Sequence, residues 1–122
     1  MDSILYQDLT DKIIGCFYTV YNELGYGFLE KVYENSMMIE LRESELSAEN
    51  QVEIGTFYKG QIVGVYYADI VVEKIVVIEL KAHDLLRMED SAQLLHYLKA
   101  TGKKVGLLMN FGKKPEFKRV VY

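Results

Sequence analysis

The sequence predicts one α/β domain over residues 1–122, of the α+β kind, in the order α-α-β-β-β-α-β-β. Three observations predict it. Apolar residues recur at helical spacing up to about residue 46 and again over about 88–100. The rest falls into short apolar runs bounded by Gly, Glu-Lys or Lys-Gly turns, as strands do. Two of these runs, Ile70-Val71-Val72 and Ile75-Val76-Val77-Ile78, are apolar throughout, as expected of strands buried on both faces at the centre of a sheet.

Thr10 or Asp11 can cap the first helix, whose inner positions are Ile13, Phe17, Val20 and Leu24. Gly25 stands where a C-terminal glycine would stop it, and Gly25-Tyr26-Gly27 forms a short turn. The second helix is expected over about 28–46, with Leu29, Val32, Tyr33, Met37 and Leu41 as its inner stripe. Met38 and Ile39 on that helix are expected to be exposed and to offer a surface for a homodimer. Strands follow from about Gln51, with a turn at Lys59-Gly60, a second strand over 62–72, a tight turn at Glu73-Lys74 and a third strand over 75–81. The third helix is expected from Met88 to Ala100 and is closed by Gly102. Strands over 105–109 and 117–121 complete the chain. Tyr18, Tyr21, Tyr33 and Tyr58 fall at core-like spacings.

Composition narrows the function. No segment approaches the ~18 consecutive apolar residues of a membrane span, and Met1-Asp2-Ser3-Ile4 is not a signal peptide, so no membrane partner is expected. The single Cys16 lies in an apolar helical stretch, which fits a buried thiol and a reducing cytoplasm. Net charge is −4, but residues 1–61 carry 4 basic and 11 acidic side chains, whereas residues 62–122 carry 10 basic and 7 acidic ones. The lysines crowding the last quarter form either a phosphate-binding patch or an ordinary solvated surface. His83 and His96 have no Cys or His partners at zinc spacing.

The chemistry concentrates near the ends of the two apolar strands, where Asp69, Glu79 and Lys81 place three charges. An isolated buried charge costs several kcal/mol, so these need compensation. A divalent ion between two carboxylates supplies it, and hard oxygen ligands suit Mg²⁺ or Mn²⁺. Such an ion polarises a phosphoryl oxygen and acidifies a water, while a nearby ammonium stabilises charge developing on phosphorus. Glu79 and Lys81 share a strand face. A strict two-residue turn at Glu73-Lys74 would pair 69 with 78 and separate the carboxylates. Both meet one ion only if 69 pairs with 79, which requires a three-residue loop or a bulge. The competing view is an ordinary Glu79–Lys81 ion pair where the strand reaches solvent.

Glu30 stands in the first turn of the second helix and shares a face with Tyr33 and Met37. It either points inward as a further ligand or satisfies free N–H groups at the helix start. Gln93 and Tyr97, four apart on the third helix, project together toward a phosphate or toward solvent.

In order and spacing, Gly27-x-x-Glu30, Asp69, Glu79-Leu80-Lys81 and Gln93-x-x-x-Tyr97 resemble the PD-(D/E)XK nuclease superfamily, particularly its RecB-like branch. Gly27-Phe28-Leu29-Glu30-Lys31-Val32-Tyr33 resembles the signature of the small bacterial GxxExxY proteins, as do Ala68-Asp69, Glu79 to Ala82, Gln93 to Gly102 and Val105 to Gly112. Ala68 and Tyr26 depart from the proline usual at their positions. The resemblance implies a restriction-endonuclease-like core with a mixed central sheet flanked by helices. It implies a metal held by Asp69, Glu79 and the Leu80 carbonyl, with Glu30 completing the acidic site. Lys81 would serve the nucleophilic water, and Gln93 with Tyr97 would support substrate or metal. The activity implied is nuclease action on nucleic acid, DNA ahead of RNA. The alternative is a non-catalytic binding or assembly module on the same fold, as a homodimer or an accessory to a larger complex.

Overall fold

The computed structural model describes residues 6–122. Helix α1 (Gln7–Leu24) and helix α2 (Glu30–Glu43) come first, then strands β1 (Ala48–Tyr58), β2 (Gln61–Val72) and β3 (Val76–Lys81). Helix α3 (Met88–Thr101) precedes β4 (Val105–Phe111) and β5 (Pro115–Val121). The order matches the expected one, and the strands lie side by side as β1-β2-β3-β4-β5. Only β3 and β4 run parallel; the other neighbours are antiparallel. A parallel pair needs a crossover, and α3 is that crossover. The sheet is therefore mixed.

Helices cover both faces. Ile13, Phe17, Tyr33, Met37 and Leu41 from α1 and α2 pack on Ile70, Val72, Val76, Ile78 and Leu80. On the other face, Leu94 and Leu98 of α3 pack on Ile54, Ala68, Val71, Val77 and Leu108. Strand β3 sits at the middle of the sheet, and Val76–Leu80 is buried throughout. Its unbroken apolar run follows from having a helical layer on each side.

Several boundaries and faces differ from the sequence expectation. Helix α1 begins at Gln7, and buried Thr10 bonds the Gln7 carbonyl rather than capping the helix. Leu29 is 81% exposed and Val32 is exposed as well, so neither belongs to the inner stripe of α2. Leu29 stands before the first helical residue, and the stripe runs through Tyr33, Glu34, Met37, Met38 and Leu41. Met38 is buried, which leaves Ile39 alone of the expected pair at the surface. Tyr58 lies beside the β1–β2 turn and is exposed, whereas Tyr33 is fully buried. Among the described residues no helix is long and apolar enough to cross a membrane.

Two turns matter for the site. Tyr33 reaches back from α2, its hydroxyl donating to the Gly25 carbonyl at 2.7 Å and accepting from the Phe28 N–H at 3.2 Å. Its ring stacks on Phe111 at 4.0 Å. The start of α2 is therefore tied down with Tyr26 in place of a proline. The β2–β3 turn spans Glu73–Ile75, with Glu73 and Lys74 both in the left-handed region, at φ 53° and 57°. Non-glycine residues hold such angles only when anchored. Glu73 is anchored by its N–H bond to the Ser47 carbonyl.

Candidate active site

That three-residue turn sets the register of the two carboxylates. The pairs are Val72 with Val76, Val71 with Val77 and Ile70 with Ile78. One further step places Asp69 opposite Glu79, the register required for both to share a face. The ladder opens at this step. The Asp69 carboxylate accepts the Leu80 N–H at 2.7 Å, and Glu79 Oε1 lies 3.4 Å from the Asp69 backbone nitrogen. Side chains thus replace main-chain pairing, and the strands fork around the acidic pair.

The opposite flank of β2 is also interrupted. Asn50 pairs with Ile70 and Val52 with Ala68, but Gln51 and Asp69 between them are unpaired. Gln51 has φ 50°. On either side of this irregularity the inner residues change layer. Ala48 and Ile70 pack toward α1 and α2, whereas Val52, Tyr66 and Ala68 pack toward α3. Buried Glu34 of α2 holds the kink: Gln51 Nε2 donates to it at 2.7 Å, Asn50 Nδ2 at 3.1 Å and Lys31 Nζ at 2.8 Å. Burial pushes the Glu34 carboxyl up, but these three donors outweigh it and hold the group below its usual range.

The electrostatics of the fork run the other way. Burial, and next the Asp69 charge, push Glu79 up to about 8, against the Asp69 N–H and the Lys81 charge. Asp69 is also raised, chiefly by burial and then by Glu34 and Glu30, although the Leu80 N–H and Lys81 pull it down. Lys81 is half-buried, and among the described residues no ion pair joins it to either carboxylate. A buried and a half-buried carboxylate without a paired cation form an acidic site in need of positive charge.

The remaining expected residues are placed unequally. Glu30 is exposed in the first turn of α2, where its charge reaches both Asp69 and Glu79. Tyr97 is half-buried and stacks on Tyr66 with ring centroids 3.3 Å apart. Burial and the neighbouring Glu79 and Asp69 charges raise the phenol pKa of both tyrosines, so this aromatic pair borders the acidic site. The Tyr66 hydroxyl is buried and has no hydrogen-bond partner among the described residues. Gln93 is exposed on α3 and bonds none of these groups among the described residues. Among the described residues no three His, Cys, Asp or Glu side chains converge on one point. The side-chain donors at the fork are therefore two carboxylates, hard oxygen donors of the kind that suit a divalent cation.

Glu34, Tyr66 and Asn110 were not singled out from the sequence. Glu34 lies one helical turn beyond Glu30, a spacing that carried a signal. Tyr66 joins the site only because β2 switches faces near Asp69, which alternation does not foretell. Asn110 is fully buried and stands opposite Lys81 in the parallel ladder. Its side chain grips both backbone groups of His83 at 2.9 Å, just past Lys81.

Comparison with known proteins gives the family and the fold. The family profile of the PD-(D/E)XK nuclease superfamily matches residues 7–120. A search of curated proteins finds no match. Among solved structures, that of SSO0001 is similar, with a TM-score of 0.58 over 97% of this chain at 19% identity. At that identity the likeness is one of fold, and the chain spans 60% of the length of SSO0001.

Proposed function

This chain belongs to the PD-(D/E)XK nuclease superfamily, and from that premise we propose that it is a metal-dependent nuclease whose active site is the β2–β3 fork. The observation carrying this reading is the Asp69–Glu79 pair, Glu79 buried and Asp69 half-buried, opposed across the fork with no paired cation among the described residues. Asp69, Glu79 and the Leu80 carbonyl would hold Mg²⁺ or Mn²⁺, which when bound would supply Lewis acidity at the phosphoryl group and a lowered pKa for a water. The Leu80 N–H aims the Asp69 carboxylate. Lys81 stands two residues beyond Glu79 on the same strand and orients the attacking water or stabilises charge on phosphorus. Glu30 adds negative charge at the mouth of the site, and Tyr97, backed by Tyr66, forms an aromatic wall against the substrate. Gln93 serves the substrate from the exposed face of α3. DNA is preferred to RNA, and the buried free thiol of Cys16 fits a bacterial cytoplasm.

The test is cleavage of labelled single- and double-stranded DNA and RNA with Mg²⁺ or Mn²⁺, with Asp69→Ala in parallel. Cutting by the parent that disappears in the variant is the expected result. No cutting on any substrate, together with no Mn²⁺ bound in calorimetry, refutes the reading in favour of a non-catalytic assembly module.

A further inference from the structure

Beyond the kink at Gln51, the β1–β2 ribbon loses its cover on one face. Tyr66 and Ala68 pack toward α3, so Val65 and Tyr67 point away from it, and their exposures are 48% and 53%. Gly55 pairs with Val65 and Glu53 with Tyr67, which puts both on that outer face. The Phe57 ring and the Ile62 side chain lie against the position a Gly55 Cβ would take. They thus extend the same surface, and Val63 sits at the register shift beside them. Phe57, Tyr58, Ile62, Val63, Val65 and Tyr67 are all exposed. Tyr58 pairs with Gln61 and alternates with Phe57, so it points to the opposite side. Single exposed apolar residues mean little, but the other five along one paired ribbon form a patch.

We propose that this ribbon face is where a second copy of the chain docks, in an isologous contact with the two ribbons antiparallel. Area is the first argument. At about 150–200 Å² per fully exposed side chain, the five exposed fractions on this face amount to roughly 500 Å² per copy. A specific pairing buries about 600–1,000 Å² per partner, which this apolar patch reaches together with its polar rim. Charge is the second argument. Between Ile54 and Tyr67 the only charged residue is Lys59, and Glu53 precedes the stretch. Nucleic-acid phosphates require more cations than this. Glu53 and Lys59 lie three positions either side of Thr56. A two-fold axis near Thr56 therefore brings Glu53 of each copy to Lys59 of the other, the self-complementarity that an isologous interface demands. The acidic fork stays outside the contact, because β2 reaches Asp69 only past the kink.

Sedimentation velocity over a concentration series tests the proposal without any assay of cleavage. The expected mass is twice 14.1 kDa at micromolar concentration. Val65→Lys and Phe57→Lys, each at an exposed position, should weaken association by about tenfold or more while leaving the far-UV circular dichroism spectrum unchanged. Ile39→Lys on α2 should leave the mass alone. Glu53→Lys should weaken the pair, and adding Lys59→Glu should restore it. A parent that stays at 14.1 kDa up to about 100 µM, well above the range of a specific dimer, overturns the proposal. So does a dimer indifferent to the ribbon variants, or loss of single-stranded DNA binding in those variants with no change in mass.

Discussion

Glu79 points its carboxylate at the backbone nitrogen of Asp69, 3.4 Å away, where an antiparallel ladder would otherwise continue. The two acids thus occupy the place of a main-chain bond at the centre of the protein. Such a site costs stability wherever no cation balances it, and the pH dependence follows. Unfolded, Glu79 ionises near 4.5; folded, it ionises near 8. A raised carboxyl pKa means that stability falls as pH climbs from about 4.5 toward 8 and levels off above it. The metal-free protein should therefore melt highest in mild acid. Mg²⁺ or Mn²⁺ should raise the melting temperature most at pH 8, as read by differential scanning fluorimetry.

Glu79→Gln keeps an acceptor for the Asp69 N–H and removes the charge. At pH 8 without metal this variant should melt higher than the parent by roughly 5 °C. It should also lose the shift on adding Mn²⁺. A lower melting temperature at that pH would show that Glu79 is not held against its own charge.

Lys81→Ala should separate binding from chemistry. The ammonium forms no ion pair with Asp69 or Glu79 among the described residues, so Mn²⁺ affinity in calorimetry should change little. Cleavage should fall by about 10²–10³-fold, as for loss of one group that stabilises charge in the transition state. Equal losses of affinity and rate would make Lys81 a structural counter-charge.

Glu34→Ala releases Asn50 and Gln51 and should lower stability by about 1–2 kcal/mol in urea unfolding, since the freed amides can resolvate. The Lys31 contact adds little, because its side chain is 60% exposed. The parent carboxyl lies below its ordinary 4.5. Its stabilisation is thus present above 4.5 and disappears as acid protonates it through that lowered value. The variant should lack this acid-sensitive component.

Asn110→Ala leaves both backbone groups of the half-buried His83 without this partner, a loss of about 1–3 kcal/mol. Gly112→Ala places a Cβ against the His83 carbonyl oxygen, closer than such atoms come, so the same loop must shift. Both variants should unfold earlier and should show faster hydrogen exchange at the His83 amide than at the Leu80 amide. Equal exchange at the two would mean that the loop is held by something other than Asn110 and Gly112.

Much of this was legible in the chain itself. The element order, the turns at Gly25 and Gly102, and the central position of β3 follow from local pattern, because helical and strand periods are properties of neighbouring residues. The acids and the lysine stand out because charges are rare at the ends of buried apolar strands. The second helix was misjudged at Leu29 and Met38 because its first residue, and hence its phase, is set by the Tyr33–Gly25 bond and by packing on Phe111.

The sequence alone singled out the residues proposed to do chemistry here, since donor type and strand placement are written in it. Tertiary structure decided how they meet. The 69–79 register, the face switch that brings in Tyr66, and the Glu34 clamp on Gln51 all depend on contacts between residues distant in sequence. Left-handed angles at Gln51, Glu73 and Lys74 carry a local cost, and only those distant contacts offset it.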